Sequence, residues 1–148
     1  MSIPQGLVRR LEWRESAAVA SRTASEDDQM RFMCIVIAPQ TNAQLGPSPD
    51  MIEAMHRLRD REIKAGRMLD DGGLMPLATG ARVGVADGKL SVVDGPFVEA
   101  KEVIGGYAIF ELPGKEEALA LAREFMQLHV DFMPGWEGVC EVRAFAGP

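Results

Sequence analysis

Residues 92–107 contain the densest group of side chains that could move a proton or hold a small ligand. Asp94 and Glu99 are candidate catalytic groups, because a carboxylate that points into a cleft can act as a general base. Lys101 could bind an anionic group, and the hydroxyl of Tyr107 could position a ligand. Each of these residues also has a structural explanation, as a turn aspartate, a solvated charge or a tyrosine within a sheet. The residue types therefore allow acid/base chemistry and leave a structural role open.

The same stretch contains residues that constrain the backbone. Glycine and proline are the residues that set unusual or fixed backbone angles, and the ones concerned are Gly95, Pro96, Gly105 and Gly106. We expect the two later glycines to let a new strand begin at Tyr107. Phe97 is expected to pack under the loop or into an interface, with the wall of a ligand pocket as the alternative.

The two histidines, His56 and His129, are too far apart in the sequence to form a metal motif. His56 is a candidate general acid/base, with Asp70 or Asp71 as its partner just beyond the same helix. Asp71 is also a candidate ligand contact. His129 is expected to interact with the C-terminal end of its own helix. The sequence contains neither a glycine-rich phosphate loop nor a nucleophile elbow, and it predicts no metal and no tightly held cofactor.

Apolar and turn patterns predict a series of strands. They cover residues 31–38, 67–71, 81–86, 89–93, 107–112 and 139–145. The strands at 31–38 and 107–112 are almost continuously apolar, which is typical of central strands covered on both faces. The last strand alternates polar and apolar residues, which favours an edge position. Asp87-Gly88 predicts a hairpin with a two-residue type I′ turn.

Two amphipathic helices are also predicted. The first begins after Ser48, which can cap it, and Gly66 follows its end. Its buried stripe is expected to consist of Ile52, Met55, Leu58, Glu62 and Ile63. The second helix covers residues 115–129 and has an apolar inner face consisting of Ala118, Leu121, Ala122, Phe125 and Leu128.

This order of elements predicts an α+β fold, specifically a ferredoxin-like βαββαβ arrangement with an extra hairpin. Two helices can cover only one face of the sheet, although the central strands are apolar on both sides. A second subunit is the simplest cover, so we expect a homodimer with facing sheets. The domain is expected to cover residues 30–148, and residues 1–29 are predicted to be a poorly ordered or partly helical extension.

The composition excludes several classes of protein. A net charge of −6 without a basic stripe argues against nucleic acid and against an anionic membrane surface as partners. No apolar run has the length of a membrane span, so a cytoplasmic location is expected. Cys34 and Cys140 lie in predicted strands and are expected to be reduced thiols, although the fold could make them neighbours.

The run Val93-Asp94-Gly95-Pro96-Phe97-x-Glu99-Ala100-Lys101-Glu102, followed by Gly105-Gly106-Tyr107, resembles the signature of the YCII-related (DGPF-domain) family. The resemblance extends over residues 30–146. Shorter similarities lie at residues 30–33, 65–69 and 133–138. It implies a dimeric α+β barrel built from ferredoxin-like subunits. Since that barrel is shared by isomerases, monooxygenases and haem proteins, the resemblance does not fix the reaction.

The resemblance also implies candidate roles. A histidine–aspartate pair is suggested for the wider family, but the family histidine lies in the first turn of helix one and His56 comes about a turn later. The favoured function is a homodimer that binds a small organic ligand, neutral or anionic, with acid/base chemistry by Asp94 and Glu99. The alternative is a non-enzymatic regulatory or interaction module, because domains of this family also occur with extracytoplasmic-function sigma factors.

Overall fold

The structure, a computed structural model, describes residues 28–39, 46–95 and 102–147. In chain order, the elements are β1 (Met30–Pro39), α1 (Pro49–Lys64), β2 (Met68–Gly73), a 3-10 turn (Leu77–Thr79), β3 (Ala81–Ala86), β4 (Lys89–Asp94), β5 (Glu102–Leu112), α2 (Lys115–Phe132) and β6 (Val139–Ala144). The predicted α+β class is confirmed. The predicted extension lies outside the described residues, apart from its last two positions.

Four strands form one antiparallel sheet in the order β2-β5-β1-β6. The apolar strands β1 and β5 are central and the alternating strand β6 is at an edge, as the patterns predicted. Strands β3 and β4 form a separate two-stranded sheet. Its turn residues Asp87 and Gly88 have φ values of 52° and 73°, which confirms the predicted type I′ turn.

The core lies between the four-stranded sheet and the two helices. It is formed by Phe32, Cys34, Phe110, Leu112 and Ala118. Because side chains alternate along a strand, the remaining residues of β1 and β5 point to the opposite side of the sheet. We call that side, which carries Met33, Ile35 and Ile109, the open face. Its side chains are half-buried in a single chain.

Helix α1 begins as predicted, because the hydroxyl of Ser48 accepts a hydrogen bond from the backbone N–H of Met51 at 3.2 Å. The predicted buried stripe was wrong at Ile52 and Ile63, which are 38% and 43% exposed. Glu62 is buried as predicted, and the other buried residues of the helix are Met51 and Ala54. One residue corresponds to about 100° around a helix, so a stripe centred on Met51 turns Ile52 toward water.

Helix α2 ends at Phe132, slightly later than predicted. Its inner face agrees with the prediction, since Ala118 and Ala122 are buried and Leu121 is half-buried. His129 is buried beside Trp136, and its Nδ1 lies 3.2 Å from the carbonyl oxygen of Phe125 one turn earlier. Burial lowers the pKa of this imidazole. The imidazole therefore bonds a carbonyl within its own helix, one turn before His129, and its predicted interaction with the C-terminal end of the helix is not seen.

Cys34 and Cys140 are free thiols on the neighbouring strands β1 and β6. The neighbouring Cys140 thiol and burial both raise the pKa of the Cys34 thiol. The two residues are therefore neighbours, as the predicted fold allowed. None of the helices in the described part of the chain is long and apolar enough to cross a membrane.

Candidate functional site

A β-bulge in β2 sets the direction of the two neighbouring aspartates, Asp70 and Asp71. Met68 pairs with Phe110, but Asp70 pairs with Ile109, so Leu69 is the extra residue. Without the bulge, Asp70 would stand opposite Ala108 and point toward the helices. With it, Asp70 points to the open face and Asp71 points to the helices. Bulges often re-aim a side chain beside an active site, which is the effect seen here.

Tyr107 reaches Asp70 across a glycine. Tyr107 pairs with Gly72 on the neighbouring strand, and a Cβ added to Gly72 would lie 3.0 Å from Cε1 of the tyrosine ring. The ring can therefore lean over β2 because residue 72 has no side chain. Its hydroxyl donates a hydrogen bond to Oδ2 of Asp70 at 3.1 Å. Asp70 and Tyr107 form the candidate functional site.

The electrostatics of this pair favour a neutral tyrosine. The hydrogen bond to Asp70 is the main cause that raises the pKa of Tyr107, and the charges of Asp70 and Asp71 add to it. The second oxygen of Asp70, Oδ1, accepts a hydrogen bond from the backbone N–H of Asp71 at 2.9 Å. The carboxylate is thus held in place from two sides and remains exposed.

Apolar side chains surround the pair on the open face. Ile35 stands opposite Tyr107 on β1, and Ile109 stands opposite Asp70 on β5. An aspartate held by a tyrosine on an apolar surface can accept a hydrogen bond from a ligand hydroxyl or amine, or act as a general base. In the ranges that the structure describes, no group of His, Cys, Asp and Glu is large enough to hold a metal ion.

Asp71 is on the other face and has a different partner. Nε of Arg59, in α1, lies 3.0 and 3.1 Å from the two carboxylate oxygens of Asp71. This ion pair connects α1 to β2 on the helix side of the sheet. Two ligand contacts were predicted among these residues. Tyr107 belongs to the candidate site, and Asp71 does not.

The other predicted catalytic residues are not brought to this site. His56 is exposed on α1 and makes no hydrogen bond or ion pair with any described residue, so it is not paired with Asp70 or Asp71. Asp94 is the exposed last residue of β4 and pairs with Ala81. The predicted positions Pro96, Phe97, Glu99 and Lys101 lie outside the described residues.

The three described glycines of the signature have different environments. Gly95 donates its backbone N–H to Gly80 O at 2.8 Å, and a Cβ there would collide with the backbone oxygen of Leu77. A Cβ on Gly106 would lie 2.9 Å from Gly72 O, so the close approach of β2 and β5 requires glycine. A Cβ on Gly105 would meet nothing within 4 Å.

The expectation that a strand begins at Tyr107 was wrong, since β5 begins at Glu102 and passes through both glycines. The pairing of β1 with β5 shifts between Val36 and Ile37, opposite Gly106 and Ile104. Gly105 is therefore an extra residue in the ladder. Glycine here forms a bulge within a strand and does not end it.

Sequence reasoning did not find the role of Asp70 and Gly72 or a charged network around Glu62. Glu62 is fully buried and bound by Arg61 and Arg67, and Arg61 also binds Glu124 of α2. Helical periodicity put Glu62 on the buried stripe, and a carboxylate there needs a cationic partner. That requirement was the only sequence feature that pointed to the network.

A groove of about 300 Å³ lies between the two helices, on the side away from the sheet's open face. It is lined by Ala54, Arg57, Leu58, Arg61, Glu124, Leu128 and Phe132. None of these residues belongs to the Asp70–Tyr107 pair, so the groove and the candidate site are separate.

Comparison with known proteins bears on the sequence resemblance. The model of the YCII-related domain matches residues 30–126, from the start of β1 to within α2. The similarity seen at residues 133–138 lies beyond this match. No curated protein sequence matched the chain. The family match covers more than half of the chain and includes Asp70, Gly95 and Tyr107, and the chain therefore belongs to the YCII-related domain family.

Proposed function

We propose that the chain forms a homodimer through the open faces of two ferredoxin-like sheets, and that each subunit binds a small organic ligand at its Asp70–Tyr107 pair. The observation that carries the ligand site is the bulge at Leu69, which turns Asp70 out of the helix side and onto the open face beside Tyr107. A chain that needed Asp70 only as a surface charge would have no need of that rearrangement.

The open face supports the dimer. It carries Met33, Ile35 and Ile37 along β1 and Ile109 on β5, all half-buried in the single chain. A second sheet packed on this face would bury these side chains and form a dimeric α+β barrel. The antiparallel order β2-β5-β1-β6, with helices after β1 and β5, is the order expected of a ferredoxin-like subunit.

The same packing would give the ligand site its chemistry. A facing sheet would exclude water from Asp70, and a carboxylate in a drier site is a stronger base and a more selective hydrogen-bond acceptor. The ligand is accordingly a small molecule with a hydroxyl, amine or acidic C–H that meets Asp70, and with an apolar part that meets Ile35 and Ile109. An anionic group on the ligand, held by Lys101, remains a prediction from the sequence, as do roles for Asp94 and Glu99.

Two neighbouring aspartates provide a matched test. A library of small metabolites is screened by thermal shift against the wild-type chain, and the hits are measured by calorimetry with Asp70→Asn, Tyr107→Phe and Asp71→Asn. We expect Asp70→Asn to weaken binding at least about 10-fold, the value of one charged hydrogen bond, and Asp71→Asn to change it less than about 3-fold. Equal effects of the two substitutions would argue against the site.

The screen also separates this function from the non-enzymatic alternative. A regulatory or interaction module would return no metabolite whose binding depends on Asp70, while still forming a dimer in sedimentation equilibrium. A monomeric wild-type chain at micromolar concentration would contradict the dimer, and with it the dry site that the proposal requires.

A further inference from the structure

The β3–β4 hairpin presents one continuous apolar face to solvent. Val83 pairs with Val92 and Val85 pairs with Leu90, so these side chains share a face. Their exposed fractions are 69% for Val83, 74% for Val85, 76% for Leu90 and 69% for Val92. Soluble monomers seldom leave a contiguous group of large apolar side chains this exposed, and such a group usually marks an interaction surface.

The opposite face of the hairpin has a different composition. It carries Arg82, Gly84, Ala86, Lys89, Ser91 and Val93. The two strands therefore have one face with four large apolar side chains and one face of mixed composition, and a strand pair with such an apolar face is usually covered on that side. Within the described residues, the main contacts of β3 and β4 are with each other. A two-stranded hairpin is only marginally stable in water without such a cover.

The hairpin is attached to the strands that carry the candidate site. The chain leaves the four-stranded sheet at the end of β2 and returns to it at the start of β5, and these strands are neighbours. Leu74 donates its backbone N–H to Gly105 O at 2.9 Å, and Gly95 donates to Gly80 O at 2.8 Å, which closes the base of the hairpin. The hairpin is thus attached at the edge of the open face, where β2 ends and β5 begins.

The area of the open face indicates which partner the hairpin takes. The four strands have 6, 11, 10 and 6 residues, and at about 3.4 Å per residue and 4.8 Å between strands they give a flat area of about 540 Å². A standard stable interface buries about 800 Å² on each partner, so the sheet alone supplies about two thirds. The hairpin, with two strands of six residues, adds about 200 Å². A dimer that used the sheets alone would be small, and one that includes the hairpins approaches the usual size.

We propose that the β3–β4 hairpin is a dimerisation arm whose apolar face packs on a second copy of this chain. This inference rests on the proposed homodimer. In a two-fold dimer the hairpin of each chain packs on the other chain. The apolar faces of both hairpins are then covered at once. The partner is a second copy of the chain because the open face, beside which the hairpin is attached, is too small by itself to form a stable dimer interface.

Valine-to-threonine substitutions test the arm, because threonine keeps the shape and strand preference of valine and adds a hydroxyl. The full chain with Val83→Thr, Val85→Thr and Val92→Thr together is compared with wild type by sedimentation equilibrium. The control is Val93→Thr, the same change on the opposite face, where the side chain is 52% exposed. We expect the triple variant to weaken the dimer at least about 100-fold and the control less than about 3-fold.

The outcomes distinguish failure of the arm from failure of the dimer. A wild-type dimer whose Kd is unchanged in the triple variant overturns the arm and leaves the dimer in place. A monomeric wild-type chain overturns both. An unchanged Kd together with a lower Tm of the triple variant would show that another part of the same chain, such as residues 1–27, covers the face, which also overturns the arm. Leu90→Gln, measured alone, repeats the test if the triple variant does not fold by circular dichroism.

Discussion

Substitution of Glu62 tests whether the buried charge network connects α1 to the rest of the domain. Glu62 is 0% exposed, and Arg67 donates to it through Nε at 2.6 Å and Nη2 at 2.8 Å, while Arg61 Nε donates at 2.9 Å. Nη1 and Nη2 of Arg61 each donate to one carboxylate oxygen of Glu124, in α2, at 2.7 Å. The network therefore joins the C-terminal end of α1 to α2 and to the first residues before β2.

Glu62→Gln keeps the shape of the side chain and removes its charge. Breaking a buried ion pair costs about 3–5 kcal/mol. We expect a loss of about 3 kcal/mol, at the lower end of that range, because Arg61 and Arg67 are half-exposed and can regain water. Arg67→Met should cost more, about 4–5 kcal/mol, because it leaves a buried carboxylate with only Arg61 as partner.

The assay is urea unfolding followed by circular dichroism, at one fixed protein concentration for all variants. With an m value of about 2 kcal/mol/M, a loss of 3 kcal/mol lowers the midpoint by about 1.5 M. Glu53→Gln is the control, because Glu53 is exposed and its Arg57 partner lies 3.5 Å away on the same helix, an interaction worth at most about 0.5 kcal/mol. If Glu62→Gln shifts the midpoint no more than Glu53→Gln does, the network does not stabilise the fold.

The remaining predictions concern pH and the strand pairing. The hydrogen bond from Arg67 lowers the pKa of Glu62. The Glu62 carboxylate therefore stabilises the fold fully above its unfolded pKa of about 4.5, and this stabilisation is lost as the pH falls through the lower folded pKa. In acid, the wild-type chain should lose more stability than Glu62→Gln does. Gly106→Ala should destabilise by about 1–3 kcal/mol because its Cβ meets a backbone oxygen, whereas Gly105→Ala should change the free energy of unfolding by less than about 1 kcal/mol, both measured by urea unfolding. Tyr107 is the only tyrosine in the chain, so its ionisation can be followed by absorbance at about 295 nm. Its pKa should lie above 10, and Asp70→Asn should lower this pKa. An unchanged pKa in the variant would be evidence against the hydrogen bond between the two residues.

Local patterns were sufficient wherever neighbouring residues alone decide the conformation. The hairpin turn followed from Asp87-Gly88, because these residue types tolerate positive φ. The start of α1 followed from Ser48, whose side chain caps the first turn of its own helix. The central position of β1 followed from its continuous apolar run, since water is excluded from both sides of such a strand.

Interactions between distant residues were beyond the reach of these patterns. The interpretation of Gly105-Gly106 as a break was wrong because a glycine that opens a bulge and a glycine that ends a strand look alike in sequence. Helical periodicity places Arg61 on the water-facing side of α1, yet it bridges Glu62 and Glu124, which lie on different helices. Nothing in the spacing of these residues states that α1 and α2 pack side by side.

The candidate site shows the same division. The sequence by itself determined the family signature, the class of fold and the presence of Tyr107 in a central strand, because each depends on a contiguous run of residues. It also named Asp70 and Asp71, but as partners of His56. Only the tertiary structure decided which aspartate meets Tyr107, because that choice depends on one extra residue, Leu69, in the pairing of β2 with β5. A shift of one residue in a strand reverses the face of every side chain beyond it.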